Sequence, residues 1–195
     1  MTPTTFADIR TEPFAHSTAT GALDAELADA TLRWMETNAP WKLRVADFYE
    51  QWELHLDHGN MPESLKDLLA PAFVENLART MFDTIVPGNI ELCEVTAHKL
   101  LQGQTIRLHN DYLEDAESHR ILIQLNHGWR DEQGGLLMLF GSDSSADVRR
   151  IVRPLHRSAF AFSISDRSFH AVSTIAQGER YTLVYSFKAA PGESA

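Results

Sequence analysis

One cysteine, no basic run and no long apolar stretch are the first things this chain shows by their scarcity. Cys93 is the single cysteine in 195 residues, which excludes an internal disulfide and fits a reducing compartment. It sits in an alternating stretch, where a small buried apolar side chain is the plain reading. Lysines and arginines number 17 against 27 acidic residues, a formal charge of -10. The longest basic cluster is the pair Arg149-Arg150. Such a chain offers no positive field to a phosphate backbone, so nucleic acid is not an expected partner. The opening MTPTTFADIR lacks a basic start followed by an apolar run, and no later segment approaches bilayer-spanning length. A cytoplasmic protein with no membrane partner is expected. Internal repeats and low-complexity tracts are also missing.

What is present suits one domain over residues 1–195, with 44% hydrophobic residues to build a sizeable core. Leu23, Leu27, Ala30 and Trp34 recur at helical spacing until Asn38-Ala39-Pro40, which predicts an amphipathic helix over 22–37. Trp41, Leu43 and Val45 then alternate with Lys42 and Arg44, the pattern of a short strand with one buried face. After Asn60-Met61-Pro62, a stripe of Leu65, Leu68, Leu69, Phe73, Leu77 and Met81 predicts two helices in series, split at Pro71. Residues 1–90 thus read as mainly helical support. From Glu91 the texture is β: ELCEVTAHK, QTIRLH, HRILIQLN, GLLMLF, SAFAFSI, FHAVST and RYTLVYSFK are short runs rich in β-branched or aromatic residues. Turn signals divide them at Gly103, Gly134-Gly135, GSDSSAD (141–147), Asp166-Arg167-Ser168 and Gln177-Gly178. The expected fold is α+β: a double-sheet barrel or jelly roll over 91–188, with the preceding helices covering one sheet and the tail AAPGESA frayed.

The stretch HNDYL, 109–113, sets His109 and Asp111 two positions apart at a strand end. Two histidines and one carboxylate on one face of a divalent iron leave the opposite positions open for a cosubstrate and oxygen. An isolated H-x-D is usually a surface coincidence, and His55-Leu56-Asp57 has the same spacing. That copy adjoins His58-Gly59-Asn60 ahead of a helix start and lacks a turn glycine before it, so it is assigned to a solvated loop. The further histidine has to come from a neighbouring strand. His170, in SFHAVST after a tight turn and ten positions before Arg180, is the best candidate. On RYTLVYSFK, alternation places Arg180 and Thr182 on one face and Tyr181, Leu183, Tyr185 and Phe187 on the other. With the aromatic face packed against helices, Arg180 points into the barrel. Its fork of donors suits a bidentate carboxylate, to which Thr182 can add a hydroxyl.

Residues 97 to 188 resemble the catalytic core of the iron(II)- and 2-oxoglutarate-dependent oxygenases, in the branch of the prolyl 4-hydroxylases. The resemblance rests on three motifs in the family's order: a turn glycine before H-x-D in LLQGQTIRLHND, a leucine-asparagine pair leading through a tryptophan to a double glycine in ILIQLNHGWRDEQGGLLMLF, and a histidine followed by valine, glycine and arginine in HAVSTIAQGERYT. It implies that His109, Asp111 and His170 bind Fe(II), and that Arg180 and Thr182 hold the distal carboxylate of 2-oxoglutarate. It also implies that O2 and 2-oxoglutarate are consumed in hydroxylating an unactivated C–H bond. The expected substrate is an amino-acid side chain in a peptide, protein or natural-product intermediate, acted on by a monomer or homodimer. Leu100 stands where relatives often have a tyrosine, and Gln124 where many have a cosubstrate-binding tyrosine. The amide of Gln124 can still donate to a carboxylate, so it is included in the cosubstrate site.

The remaining candidates have plainer readings. His98, His119, His127 and His156 read as structural or as lining the pocket mouth, and Arg153, Arg157 and Arg167 as surface or salt-bridged. Gly134-Gly135 reads as a hairpin turn, and Trp52 and Trp129 as packing residues. Halogenation is disfavoured because Asp111 fills the position a halide needs. The competing reading is a cupin-like jelly roll that binds a metal or ligand without turnover and has no use for Arg180; a metal-free peptide-binding module is a second.

Overall fold

The structure, a computed structural model, describes residues 7–82, 90–114 and 117–189. Strands β1 (Asp8–Arg10) and β2 (His16–Ala19) pair antiparallel and lead to helix α1 (Ala25–Thr37). Helix α1 starts at Asp24, whose carboxylate accepts from the backbone N–H groups of Glu26 and Leu27. A hairpin of β3 (Lys42–Ala46) and β4 (Tyr49–His55) follows. A 3-10 segment at Glu63–Leu69 then meets α2 (Pro71–Phe82), and Pro71 takes the first helical position, where its missing N–H costs nothing. The rest is β: β5 (Ile90–Leu100), β6 (Ile106–His109), β7 (His119–Gln124), β8 (Leu137–Phe140), β9 (Val148–Val152), β10 (Ala159–Ser163), β11 (His170–Val172) and β12 (Arg180–Ala189).

These strands form one sheet in the order β1-β2-β10-β7-β12-β5-β4-β6-β11-β8-β9, with β3 on β4. The sheet is curled into a half-barrel. Phe162 of β10 and His170 of β11 stand far apart in that order, yet their ring centroids are 5.0 Å apart. Alternation along β12 sorts the two faces as expected. Tyr181, Leu183, Tyr185 and Phe187 join a hydrophobic cluster with Leu32, Leu65, Leu68, Val74, Leu77 and Met81 from the helical segments. The Tyr185 hydroxyl donates to the Leu68 carbonyl at 3.2 Å. Full burial of each such side chain contributes roughly 1.5–3 kcal/mol. The other face of β12, with Arg180, Thr182, Val184 and Ser186, lines a cavity inside the curl.

Several expectations change. Residues 8–55 carry four strands, where the sequence predicts one; three-residue and four-residue strands such as β1 and β2 are too short to display a period. β9 is likewise unforeseen, its VRRIV too charged to read as strand. Strand β3 forms, but Leu43 and Val45 are 50% and 69% exposed, because β3 is an edge strand that, among the described residues, pairs with β4 alone. Cys93 is exposed rather than buried. It falls at a β-bulge, where Glu94 pairs with Ser186 and Leu92 with Phe187, and the extra residue breaks the alternation that the sequence suggests. His55 ends strand β4 instead of lying in a loop, while Asp57 does sit in an exposed turn, accepting from the N–H groups of Gly59 and Asn60. Gly134-Gly135 is no hairpin, since β7 and β8 are not neighbours in the sheet. A Cβ on Gly134 would stand 2.0 Å from the Thr174 carbonyl oxygen, so the glycine permits a close backbone crossing beside the Gly134–Ile175 bridge. Among the described residues, no helix is long and apolar enough to cross a membrane.

Candidate active site

His109 ends β6, His170 begins β11, and the two are direct cross-strand partners with ring centroids 4.3 Å apart. Asp111 follows two residues after β6 with φ 59°, a left-handed conformation that aspartate tolerates better than most side chains. That turn brings its carboxylate back over the histidines: Oδ1 is 3.4 Å from His109 Nε2 and Oδ2 is 3.2 Å from His170 Nε2. The loop is held from outside by Asn110, whose side chain donates to the Asp166 carbonyl, and by Ser168, whose hydroxyl donates to the Asn110 carbonyl.

The tautomers follow from the partners. His109 Nδ1 lies 2.8 Å from the Arg107 carbonyl oxygen, and His170 Nδ1 lies 2.8 Å from that of Ser168. A carbonyl only accepts, so each Nδ1 carries the proton and each Nε2 presents a lone pair. Burial lowers the pKa of His170 and keeps it neutral, against the opposing pull of Asp111. Burial alone would raise Asp111, but its imidazole contacts and the charge of Arg120 outweigh this and hold it well below the usual carboxylate range. Two lone pairs and a carboxylate thus converge with their ligand atoms within 4.8 Å of one another. That arrangement is repulsive unless a cation stands among them, and its donor set suits a divalent iron with open positions.

Arg180 lies in the same cavity, 3% exposed, and its Nε and Nη2 are buried without a hydrogen-bond partner. Burial alone pulls its pKa from 12.5 to about 10. A buried, unsatisfied guanidinium is costly and asks for an anion. Thr182, two residues along the same face, donates its hydroxyl to Gln124 Oε1 at 3.0 Å. The His109–Asp111–His170 cluster and the Arg180 guanidinium therefore open on one cavity of about 360 Å³, a size ordinary for small ligands.

The comparisons agree with this geometry. Residues 94–188 match the family model of the 2OG-Fe(II) oxygenase superfamily. Over those residues the chain is similar to that superfamily, and its likeness is to the prolyl hydroxylases. It is 25% identical over 182 residues to prolyl 3-hydroxylase sudestada1 of Drosophila melanogaster, covering 88% of this chain and 33% of that protein. The chain thus spans about a third of that curated relative's length. In fold it is similar to a Pseudomonas putida prolyl-4-hydroxylase, with TM-score 0.72, 20% identity, and 90% and 92% of the two chains covered. It is also similar to a Trichoplax adhaerens prolyl hydroxylase solved with a hypoxia-inducible-factor peptide, with TM-score 0.67, 14% identity, and 88% and 83% covered. Members of the superfamily use Fe(II), 2-oxoglutarate and O2, for which the converging ligands and the anion-seeking arginine of this oxygenase are suited.

Of the residues singled out from sequence, His109, Asp111, His170, Arg180 and Thr182 line the oxygenase cavity. Gln124 does not, and acts on it only through Thr182. Leu100 is the cross-strand partner of Arg180 and is fully buried without a polar group to offer. His98 lines the cavity wall, its pKa pulled down to about 3 by burial and then by the charges of Arg120 and Arg180. His119 is buried against Phe82 away from the cavity. Arg153 pairs with Asp131 on the surface as expected, whereas Arg157 binds the Leu23 carbonyl instead of an acid. Trp129 packs in the core and donates to the Gly134 carbonyl, and Trp52 lies under the Lys99 ammonium.

Sequence reasoning missed Arg120. Its Nη1 donates to Asp111 Oδ2 at 2.7 Å, while Nη2 donates to Glu117 at 2.6 Å. The signal was available, because Arg120, Leu122 and Gln124 alternate on β7 as Arg180 and Thr182 do on β12. The mouth was missed as well. Arg44, Phe48, Tyr49, Tyr112, Leu113 and Arg120 border an opening beside His109 and Asp111, with Leu113 71% exposed.

Proposed function

We propose that this oxygenase is a 2-oxoglutarate-dependent dioxygenase that hydroxylates a prolyl or proline-like side chain in a peptide or protein. In this reading His109, Asp111 and His170 hold Fe(II), and Arg180 with Thr182 holds the distal carboxylate of 2-oxoglutarate. The unit is one domain over 1–195, a double-stranded β-helix backed by the N-terminal helices, acting as a monomer or homodimer. The observation that carries the reading is Arg180, a buried guanidinium with unpartnered donors in the cavity where the three candidate ligands converge. A non-catalytic jelly roll has no use for such a group.

Bound iron and 2-oxoglutarate supply, with O2, the oxidative decarboxylation to succinate and carbon dioxide that drives attack on an unactivated C–H bond. The chain's own residues orient and exclude. The Arg107 and Ser168 carbonyls fix both imidazoles with Nε2 inward, and Arg120 fixes the Asp111 carboxylate. A carboxylate at Arg180 would take up the Thr182 proton that Gln124 accepts in its absence. Leu122, Phe162, Val172 and Val184 give the cavity apolar walls that limit water. The substrate enters at the mouth, where exposed Tyr112 and Leu113 face Phe48 and Tyr49. Support for a prolyl substrate comes from the relatives, a prolyl 3-hydroxylase and a prolyl hydroxylase solved with a peptide.

The test is anaerobic addition of Fe(II) and 2-oxoglutarate, which should give the weak visible absorption of an iron-chelated keto acid. In air, slow succinate release should rise with prolyl peptides more than with free amino acids. Absence of both the absorption and succinate with every peptide would overturn the proposal.

A further inference from the structure

A second cluster of metal-ligating side chains lies outside the cavity. Asp29 on α1, His127 just beyond β7 and His156 just before β10 bring their ligand atoms within 4.8 Å of one another. His127 Nε2 is 2.8 Å from Asp29 Oδ1, and His156 Nε2 is 3.2 Å from the same oxygen. The imidazole rings lie side by side, centroids 3.6 Å apart and 24° from parallel. This group is on the opposite side of β12 from the oxygenase cavity. Tyr181 borders the outer cleft that holds Asp29 and His127, whereas its neighbours Arg180 and Thr182 face inward.

We propose that Asp29, His127 and His156 form a second divalent-metal site, suited to zinc, that staples α1 to the half-barrel. Hydrogen bonding explains the His127 contact but not His156. Both ring nitrogens of His156 are buried without a hydrogen-bond partner, although Nε2 is close to the carboxylate. A buried imidazole nitrogen left in this state is destabilising, and an ion taking its lone pair relieves that.

The backbone around the cluster is fixed independently of the three side chains. Asn126 donates to the Pro154 and Tyr181 carbonyls and accepts from the Tyr181 N–H, tying the residue before His127 to the loop that carries His156. Arg157 donates its N–H to the Gln124 carbonyl and its Nε to that of Leu23, and its own carbonyl accepts from Ala22, binding that loop to the segment leading into α1. Two imidazoles, one carboxylate and a water make an ordinary tetrahedral zinc set. Bringing both Nε2 lone pairs onto one ion requires a ring to turn, and His127, 60% exposed, is free to do so.

The experiment titrates Zn2+ alone against a chromophoric chelator of micromolar affinity, for the intact chain, Asp111→Ala, His127→Gln and the double variant. His127→Gln should remove one equivalent of bound zinc, or weaken it at least about tenfold, in both the intact and the Asp111→Ala backgrounds. Zn2+ should raise the Tm of Asp111→Ala by more than that of the double variant. This difference stands whether or not the cavity itself takes zinc. Equal stoichiometry and affinity with and without His127, in either background, would overturn the proposal; since that side chain is mostly exposed, its loss should leave the fold and 2-oxoglutarate turnover intact.

Discussion

Replacing Arg180 with methionine separates two energies that the structure sets against each other. In the protein without cosubstrate, burial pulls the guanidinium from 12.5 to about 10. A base whose pKa is lower folded than unfolded is destabilising while charged, and the difference corresponds to roughly 3 kcal/mol at about 1.36 kcal/mol per unit. Arg180→Met removes that cost and substitutes a flexible apolar side chain, so the unliganded protein should be as stable as the parent or more so. With 2-oxoglutarate the sign reverses. Losing one member of a buried, hydrogen-bonded charge pair costs about 3–5 kcal/mol, which at about 1.4 kcal/mol per tenfold is roughly two to three and a half orders of magnitude in affinity. Fe(II) affinity should stay nearly unchanged, because Arg180 Nε and Nη2 hydrogen-bond to none of His109, Asp111 and His170. The assay is an anaerobic titration of the visible band with 2-oxoglutarate, paired with thermal unfolding of the unliganded protein. The reasoning fails if the cosubstrate requirement moves by less than about tenfold, or if the variant unfolds several degrees below the parent before any ligand is added.

Three further outcomes follow from other parts of the molecule. Asp111→Ala should abolish turnover and Asp57→Ala should leave Fe(II) binding intact, since Asp57 sits in an exposed turn; equal loss in a succinate assay would remove the distinction between the two H-x-D copies. Arg120→Leu should weaken Fe(II) binding by about 10- to 100-fold, as loss of a group that orients a metal ligand typically does, and unchanged affinity by chelator competition would show that Asp111 is held without its 2.7 Å contact. His119 is buried and its pKa is lowered by burial to about 4 from 6.5. The unfolded chain then binds the extra proton first, so stability should fall as pH drops from about 6.5 to 4 at up to about 1.36 kcal/mol per pH unit. Urea midpoints of metal-free protein at several pH values, compared with His119→Phe, check this; parallel pH profiles for the two would refute it.

Much of the site was legible because it is built on alternation. Arg180 and Thr182 could be placed inward from RYTLVYSFK alone, since the four apolar partners between and after them needed a helix-facing side, and they found it against Leu65, Leu68, Leu77 and Met81. His109 and His170 were legible for another reason: each ends or begins a short strand, where a side chain can leave the sheet plane and meet a loop residue such as Asp111. Pro71 was legible from the chemistry of its missing N–H.

What escaped depended on pairings far apart in sequence. Whether Leu43 and Val45 are covered is decided by what packs on β3, and among the described residues nothing covers them, so their pattern could not reveal that the apolar face turns to solvent while Arg44 borders the cavity. Cys93 obeys the alternation of its own strand until a bulge against Ser186 and Phe187 displaces it, and a bulge is a property of two strands together. Gly134 looks like a turn residue in sequence, yet the reason only glycine fits is the Thr174 carbonyl, forty residues later. The same logic applies to Arg120. Its position on the inward face was readable, but an inward arginine is tolerable only with a carboxylate beside it, and Asp111 reaches it because a left-handed turn folds the H-x-D loop back over the sheet. A period of two therefore assigns faces, and only the curled sheet assigns partners. The chemistry proposed for this cavity depends on both, since the candidate ligands come from the first and their orientation from the second.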